Sequence, residues 1–186
     1  MKNHVMVLAS GGIDSTAVMN FYLEQKFFVL ALFVDFGQHA IKEEEKAVSK
    51  VCEHYDVPSK KVSFSGFNIT SDGFIVGRNA LLLHTALMEF QERKGIISIG
   101  VHLGTRYADC SEEFIRIMQA SFDLYTNGRI SIGVPFLNWN KKEIWDYCIS
   151  HQVPLNLTYS CELGLIQPCG RCKSCKDLEV LYAGSS

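Results

Sequence analysis

Ala9-Ser10-Gly11-Gly12-Ile13-Asp14-Ser15-Thr16 decides how this chain is read. It follows directly on an apolar run, His4 to Ala9, which reads as a first strand. It then enters a segment, Ser15 to Gln25, in which Ala17, Val18, Phe21 and Tyr22 have helical spacing. The stretch is therefore a turn between a strand and a helix. Two adjacent glycines let the backbone bend sharply and approach a ligand closely. The residues after them aim free amides and the positive end of the helix at an anion. Ser10, Ser15 and Thr16 add hydroxyl donors. Asp14 is out of place in a phosphate cradle unless a cation or the loop itself needs it. The plainer reading is a Gly-Gly turn with Asp14 as helix N-cap. Neither GxxxxGKS/T nor GxGxxG is present, so ordinary NTPase and dehydrogenase readings lose support.

Outward from the loop, strands and helices alternate. Phe27 to Val34 is apolar on both faces, as a strand covered on both sides must be. From Gln38 to Tyr55 the residues Ile41, Ala47, Val48, Val51, Cys52 and Tyr55 form a helical stripe, with Lys42 to Lys46 facing water. Lys61 to Phe64 reads as a short third strand and Asn79 to Arg93 as a helix burying Leu82, Leu83, Ala86, Leu87 and Phe90. Then follow a strand (Ile96 to Val101), a helix (Ser111 to Tyr125) and a strand (Ile130 to Val134). Asn140 with Glu143 has the form of a capping box opening a further helix through Ile144, Trp145 and Cys148. This order predicts an α/β fold: a parallel sheet with helices on both faces, ligands binding beyond the carboxyl ends of its strands. The residues after Ala9, Val34 and Val101 then share one rim.

Composition sets the bounds. A chain of 186 residues holds one such domain and a short appendage. A net charge of −2 excludes a broad nucleic-acid surface, so nucleotide contact belongs in a pocket. No apolar run approaches the length of a membrane span, and the start lacks a signal-peptide cleavage region. A cytoplasmic, reducing location follows as the expectation.

The composition changes near Tyr159, where cysteines begin. Cys161, Cys169, Cys172 and Cys175 form C-x7-C-x2-C-x2-C, a spacing that brings four thiolates to a single ion. With all four positions filled by protein, zinc here would be structural. An iron-sulfur cluster takes the same ligand set, and a disulfide pair is the third option. Arg171, Lys173 and Lys176 can offset thiolate charge. Cys52 and Cys148 lie on buried helix stripes and read as core residues. These features divide the chain into residues 1–155, a nucleotide-binding domain, and 156–186, a four-cysteine lobe packed on it.

Ser10 to Ser15 matches SGGxDS, the pyrophosphate loop of the N-type ATP pyrophosphatases (the PP-loop superfamily), which transfer AMP to a substrate and release pyrophosphate. Further matches follow in order: Val34-Asp35-Phe36-Gly37-Gln38, Gly77-Arg78-Asn79, Tyr107-Ala108-Asp109-Cys110, Glu113-Phe114, Pro135 with Lys141 and Glu143-Ile144, and Leu157-Thr158-Tyr159-Ser160-Cys161. Over nearly its whole length the chain resembles the 7-cyano-7-deazaguanine synthases (QueC family) of the queuosine and archaeosine pathways. The resemblance implies a Rossmann-like fold of the adenine nucleotide alpha hydrolase kind, doubly wound, with a small C-terminal zinc-binding lobe. It implies an ATP-dependent ligase that turns 7-carboxy-7-deazaguanine and ammonia into the amide and then the nitrile. ATP with Mg2+ is expected at Ala9, Ser10, Gly11, Gly12, Ile13, Asp14, Ser15 and Thr16, with Asp35 and Gly37. Catalytic roles fall to Asp14, Ser15, Arg78 and Lys141. Substrate contacts fall to Asn79, Asp109 and Cys110, with His102 on the rim beside them. The resemblance also selects zinc for Cys161, Cys169, Cys172 and Cys175, and implies a homodimer.

Physical readings stand beside these roles. Arg78 and Asn79 follow Gly77 at a helix start and can meet phosphate or substrate; the plain alternative is a helix cap with a surface arginine. Asp109, acceptor-only, suits the adjacent donors of a guanine-like edge, or is merely a charge ahead of a helix. Lys141 can neutralise an acyl-phosphate oxygen, or is a solvated first-turn lysine. The departures gather at the acceptor site. The family's N-x-x-D becomes His102-Leu103-Gly104-Thr105, and the arginine after its DC is Ser111. Reduced relatives of this family occur among bacterial anti-phage genes, which adds an amine larger than ammonia, even one on a protein, as acceptor. A tRNA thiolase, another amidase on the same loop, or a non-catalytic nucleotide-sensing zinc module are the competing readings.

Overall fold

The computed structural model describes residues 3–67, 75–104 and 107–184. Thr105 lies outside the described residues. The elements run β1 (His4–Leu8), α1 (Ile13–Glu24), β2 (Phe28–Asp35), α2 (Ile41–Tyr55), β3 (Ser59–Ser63), α3 (Arg78–Glu89), β4 (Gly95–Ser98), α4 (Glu112–Thr126), β5 (Ile130–Gly133), α5 (Lys141–Ser150) and α6 (Lys173–Ala183). The five strands form one sheet in the order β3-β2-β1-β4-β5, and every neighbouring pair is parallel. The chain winds outward to β3 and then crosses back past β1 to β4. That is a doubly wound α/β sheet, with its reversal point between β1 and β4.

Strand alternation builds two cores. Val5 and Val7 of β1 face Ala17 and Val18 of α1, Val48 and Val51 of α2, and Ile144 and Trp145 of α5. Met6 and Leu8 face the other way, toward Leu83 and Ala86 of α3 and Met118 and Phe122 of α4. Burial on both faces is why the central strands are continuously apolar.

Several boundaries differ from the sequence reading. α1 begins at Ile13, two residues early, with Gly12 as N-cap. Asp14 is thus inside the first helical turn and is not the cap. α2 begins at Ile41 rather than Gln38, because Gln38 is bound back onto β2. α3 ends at Glu89, short of Arg93. Phe90 leaves the helix in an extended conformation and packs where Gly95 has no side chain; a Cβ there would lie 2.6 Å from the ring. β4 ends at Ser98, where its partner β5 ends at Gly133, rather than at Val101. The rim therefore carries the residues after Leu8, Asp35 and Ser98. α6 has no counterpart in the sequence reading. Its Leu181 joins the α1-side core, and Tyr182 packs edge-on against Trp145 with ring centroids 4.8 Å apart. No helix among the described residues is long and apolar enough to cross a membrane.

Candidate active site

The loop after β1 is held from three directions. Gly11 adopts φ +73°, and a Cβ there would lie 2.8 Å from both Ala47 Cβ and the carbonyl oxygen of Glu44 on α2. Only glycine permits both the conformation and the approach. Just beyond β4, Gly100 meets the other side: a Cβ would lie 3.0 Å from the backbone of Asp14 and Ser15. From the C-terminal segment, the Tyr159 N–H donates to the Gly11 carbonyl at 2.9 Å.

Inside the loop the hydroxyls bind the loop itself. Ser15 Oγ and Thr16 Oγ1 donate to the Gly12 carbonyl at 3.1 and 2.8 Å, and the Ser10 N–H donates to Ser15 Oγ. These bonds fix the turn. The anion-binding groups left are the first amides of α1, which have no intrahelical acceptors. Ala9 and Ile13 are buried and pack in the core, leaving only backbone to a ligand.

Asp14 resolves the sequence puzzle. Lys141 Nζ lies 2.6 Å from both of its carboxylate oxygens, across 127 residues. The Asn140–Glu143 capping box is complete, so the first turn of α5 aims Lys141 at the loop. Lys141 is therefore no solvated lysine, being only partly exposed and bound to Asp14.

The β2 side of the rim is organised by Gln38. Its side chain accepts from the Phe36 N–H and donates to the Val34 carbonyl and to Glu44 Oε2 at 2.9 Å. Asp35 accepts from the Gly37 N–H, and Gly37 turns at φ +86°. Glu44 contradicts the expectation that Lys42 to Lys46 all face water. Burial pushes its carboxyl pKa up, opposed by the Gln38 hydrogen bond and the charge of Arg78. The signal was in the sequence, since Glu44 falls on the Ile41–Val48–Val51 stripe.

The acceptor side gathers most of the remaining predicted residues. Gly77, left-handed at φ +79°, caps α3, and Arg78 is its first helical residue. Arg78 Nε donates to Asn79 Oδ1, and buried Asn79 donates to the Asp109 carbonyl. Asp109 lies in a 3-10 turn (Ala108–Cys110), 8% exposed, and its Oδ2 is buried without a hydrogen-bond partner among the described residues. A buried, unsatisfied carboxylate oxygen costs free energy unless a ligand supplies the donor. Cys110 is buried in the α4-side core, with its thiol 4.0 Å from Asp109 Oδ1. His102 is buried and accepts the Gly104 N–H at Nδ1. Burial lowers its pKa, Lys141 and Lys173 push the same way, and Asp14 and Asp177 oppose. Ser111 accepts the Phe114 N–H at 3.1 Å and donates to the Ala108 carbonyl, so it is spent on capping α4.

None of the seven cysteines is in a disulfide. The sulfurs of Cys161, Cys169, Cys172 and Cys175 lie within 4.8 Å of one another. A tetrahedron with metal–sulfur bonds of about 2.3 Å has edges of about 3.8 Å, and Cys169 and Cys175 sulfurs are 3.8 Å apart. Backbone N–H groups of Arg171 and Cys172 point at Cys169 Sγ and hold its pKa down to about 6. The donor set fits a zinc ion. Glu162 accepts from the Ser174 N–H and hydroxyl, capping α6 within the lobe. Tyr159, Gly100 and Lys173 are the site residues the sequence reading left without a role there. Lys173, expected to offset thiolate charge, has its Nζ over the Tyr107 ring, 5.6 Å from the centroid.

The sequence model of the family described as "Queuosine biosynthesis protein QueC" matches residues 4–72 and 65–181. The 7-cyano-7-deazaguanine synthase of Prochlorococcus marinus (strain MIT 9312) is 28% identical over 213 aligned positions, covering 98% of this chain and 95% of that protein. The protein of the same name from Pseudoalteromonas translucida (strain TAC 125) is 30% identical, covering 95% and 92%. Among solved structures, the U34-tRNA thiolase NcsA from Methanococcus maripaludis with its 4Fe-4S cluster has TM-score 0.59 at 18% identity, covering 100% of this chain and 66% of that one. NMN synthetase from Francisella tularensis has TM-score 0.56 at 15% identity, covering 99% and 85%. At such identities these two speak for the fold alone. The family and synthase matches run over nearly the whole chain, and the chain belongs to the QueC family of queuosine biosynthesis proteins.

Proposed function

We propose that the protein is an ATP-dependent, carbon–nitrogen bond-forming enzyme that adenylates 7-carboxy-7-deazaguanine and delivers the acyl group to ammonia. The observation that carries this reading is Lys141 held on Asp14 at the mouth of the phosphate loop. ATP, entering with Mg2+ on its phosphates, places its anion against the first amides of α1. The substrate carboxylate attacks the α-phosphorus; the bond to the pyrophosphate leaving group breaks and an acyl-adenylate forms. Lys141 supports the charge that develops on the transferred phosphate. Ammonia adds to the acyl carbon, AMP leaves and a proton is released, giving the amide. Conversion to the nitrile repeats the activation on the amide oxygen, again releasing pyrophosphate, and ends with loss of AMP and of both amide N–H protons. Asp109, with its unsatisfied Oδ2, accepts donors from the guanine-like edge. Zinc on the four cysteines supplies no chemistry; it closes the C-terminal lobe, which we treat as residues 156–186 packed on a domain of residues 1–155.

Mass spectrometry of products after incubation with ATP, Mg2+, ammonia and 7-carboxy-7-deazaguanine tests this. Amide or nitrile with AMP and pyrophosphate is the expected result; ATP binding with no product refutes it. A second reading rests on Ser111, which caps α4 and presents no bidentate donor to an acceptor. The amide oxygen is a weak nucleophile and needs close placement. On this reading the first activation persists, the nitrile forms slowly, and a larger amine takes the acyl group. Accumulated amide, or an amine conjugate, distinguishes it.

A further inference from the structure

We propose that Lys173, carried by the cysteine lobe, is a substrate-binding residue that receives the carboxylate of the acid before its activation. The proposal rests on the adenylation reading above. It begins with charge at the acceptor side of the rim. Asp109 keeps a buried carboxylate oxygen without a hydrogen-bond partner there, so an anionic acid beside it needs a cation. Among the described residues, Lys141, Arg78 and Lys173 are the candidate cations. Lys141 is bound through both oxygens of Asp14. Arg78 donates to Asn79 and its charge acts on Glu44. Among the described residues Lys173 differs from Lys141 in having no carboxylate within ion-pair distance, and from Arg78 in donating no side-chain hydrogen bond; its contact is the Tyr107 ring.

Its placement is fixed nonetheless. Cys172, one of the four clustered thiols, is the N-cap of α6, so Lys173 is the first residue of a helix that starts in the four-thiol cluster. Its Nζ stands over the Tyr107 ring, 5.6 Å from the centroid, a contact that holds an ammonium in place while leaving its N–H groups for an anion. Tyr107 is two residues before Asp109 and forms the N-cap of the same 3-10 turn. Lys173 is also close enough to His102 to weigh on its ionisation together with Asp14 and Lys141. One exposed cation therefore overlooks His102, the Asp109 turn and the mouth of the phosphate loop. A planar heterocycle with its donor edge on Asp109 turns its acid end toward this group.

The experiment uses the full-length, zinc-loaded protein, with 7-carboxy-7-deazaguanine as the acid substrate. Wild type, Lys173→Ala, Lys173→Arg and Lys173→Glu are compared for the Michaelis constants of the acid and of ATP. Inhibition by 7-deazaguanine, which lacks the carboxylate, is measured alongside. For Lys173→Ala we expect the Michaelis constant of the acid to rise about tenfold, the scale of one charge-assisted hydrogen bond. The ATP constant, kcat, metal content and inhibition by 7-deazaguanine should stay near wild type. Lys173→Glu should be worse and Lys173→Arg should restore most of the affinity. An unchanged constant for the acid, a shift in that for ATP alone, or an equal loss of 7-deazaguanine binding overturns the assignment while leaving adenylation standing. If wild type itself forms no product from the acid, the adenylation reading fails and takes this one with it.

Discussion

Lys141 on α5 and Asp14 in the first turn of α1 form a two-oxygen ion pair, Nζ 2.6 Å from each carboxylate oxygen. It ties α5 to the first turn of α1, and each partner is about a quarter to a third exposed. Such a pair contributes little to stability at this exposure, but it fixes a cation at the mouth of an anion site. Lys141→Ala should cut pyrophosphate release by about 100-fold or more, on the scale of losing one preorganised charge-stabilising group. Asp14→Ala should fall comparably, with the fold intact. Because the two act as a unit, the double variant should be little worse than either single one. Multiplying losses in the double variant, with circular dichroism unchanged, would show that they act independently.

Zinc should be linked to ATP through backbone. Tyr159 donates its N–H to the Gly11 carbonyl, and Cys161 is two residues further on. Metal analysis should find one zinc per chain. Cys175→Ser, or chelation, should lower the melting temperature, since metal-binding energy is folding energy in such lobes. It should also weaken ATP binding measured by calorimetry, as the Tyr159 anchor loosens. Loss of thermal stability with ATP affinity untouched would refute the link. Iron with sulfide in place of zinc would refute the metal assignment.

Gly100 is a wedge-shaped absence beside the loop. An added Cβ would meet the Asp14 and Ser15 backbone at 3.0 Å, and backbone cannot swing aside. Gly100→Ala should therefore weaken ATP binding by about tenfold or more through displacement of the loop. Gly128, at φ +71° with nothing within 4 Å, is the control. There Gly128→Ala should lose roughly 1–2 kcal/mol of stability from left-handed strain while ATP affinity holds. Equal effects of both substitutions on ATP binding would rule out a local mechanism.

His102 predicts an acid limit. Its pKa is lowered below 6.5, chiefly by burial, so the folded state prefers the neutral ring. The stability this contributes is complete above about pH 6.5 and is lost as pH falls through the lowered value. The slope cannot exceed about 1.4 kcal/mol per pH unit for one proton. His102→Gln should flatten the decline in denaturant midpoint between about pH 7 and pH 5 relative to wild type. Parallel curves would show that the ring does not carry this titration.

What the sequence settled were the features written in consecutive residues. Strand-like runs, helical stripes, the Gly11-Gly12 turn and the Asn140–Glu143 box depend on local sterics and short-range hydrogen bonds, so they are legible in order along the chain. The cysteine spacing is likewise local, and the four thiols do converge. Element ends were less legible. Phe90 leaves α3 to fill the space beside Gly95, a partner in the next strand, and α1 starts early because its cap is glycine.

Only the tertiary structure decided which charges meet. Asp14 looked like a cap or an anomaly until α5, 127 residues away, brought Lys141 onto it. Ser15 and Thr16, read as hydroxyl donors, were given a shared acceptor in the Gly12 carbonyl by the turn. The contact of Lys173 with Tyr107 was not legible either, because it depends on α6, which no pattern announced. The reason is physical: a side chain's partner is chosen by which strands the sheet order places together. The order β3-β2-β1-β4-β5 joins segments far apart in the chain at one rim.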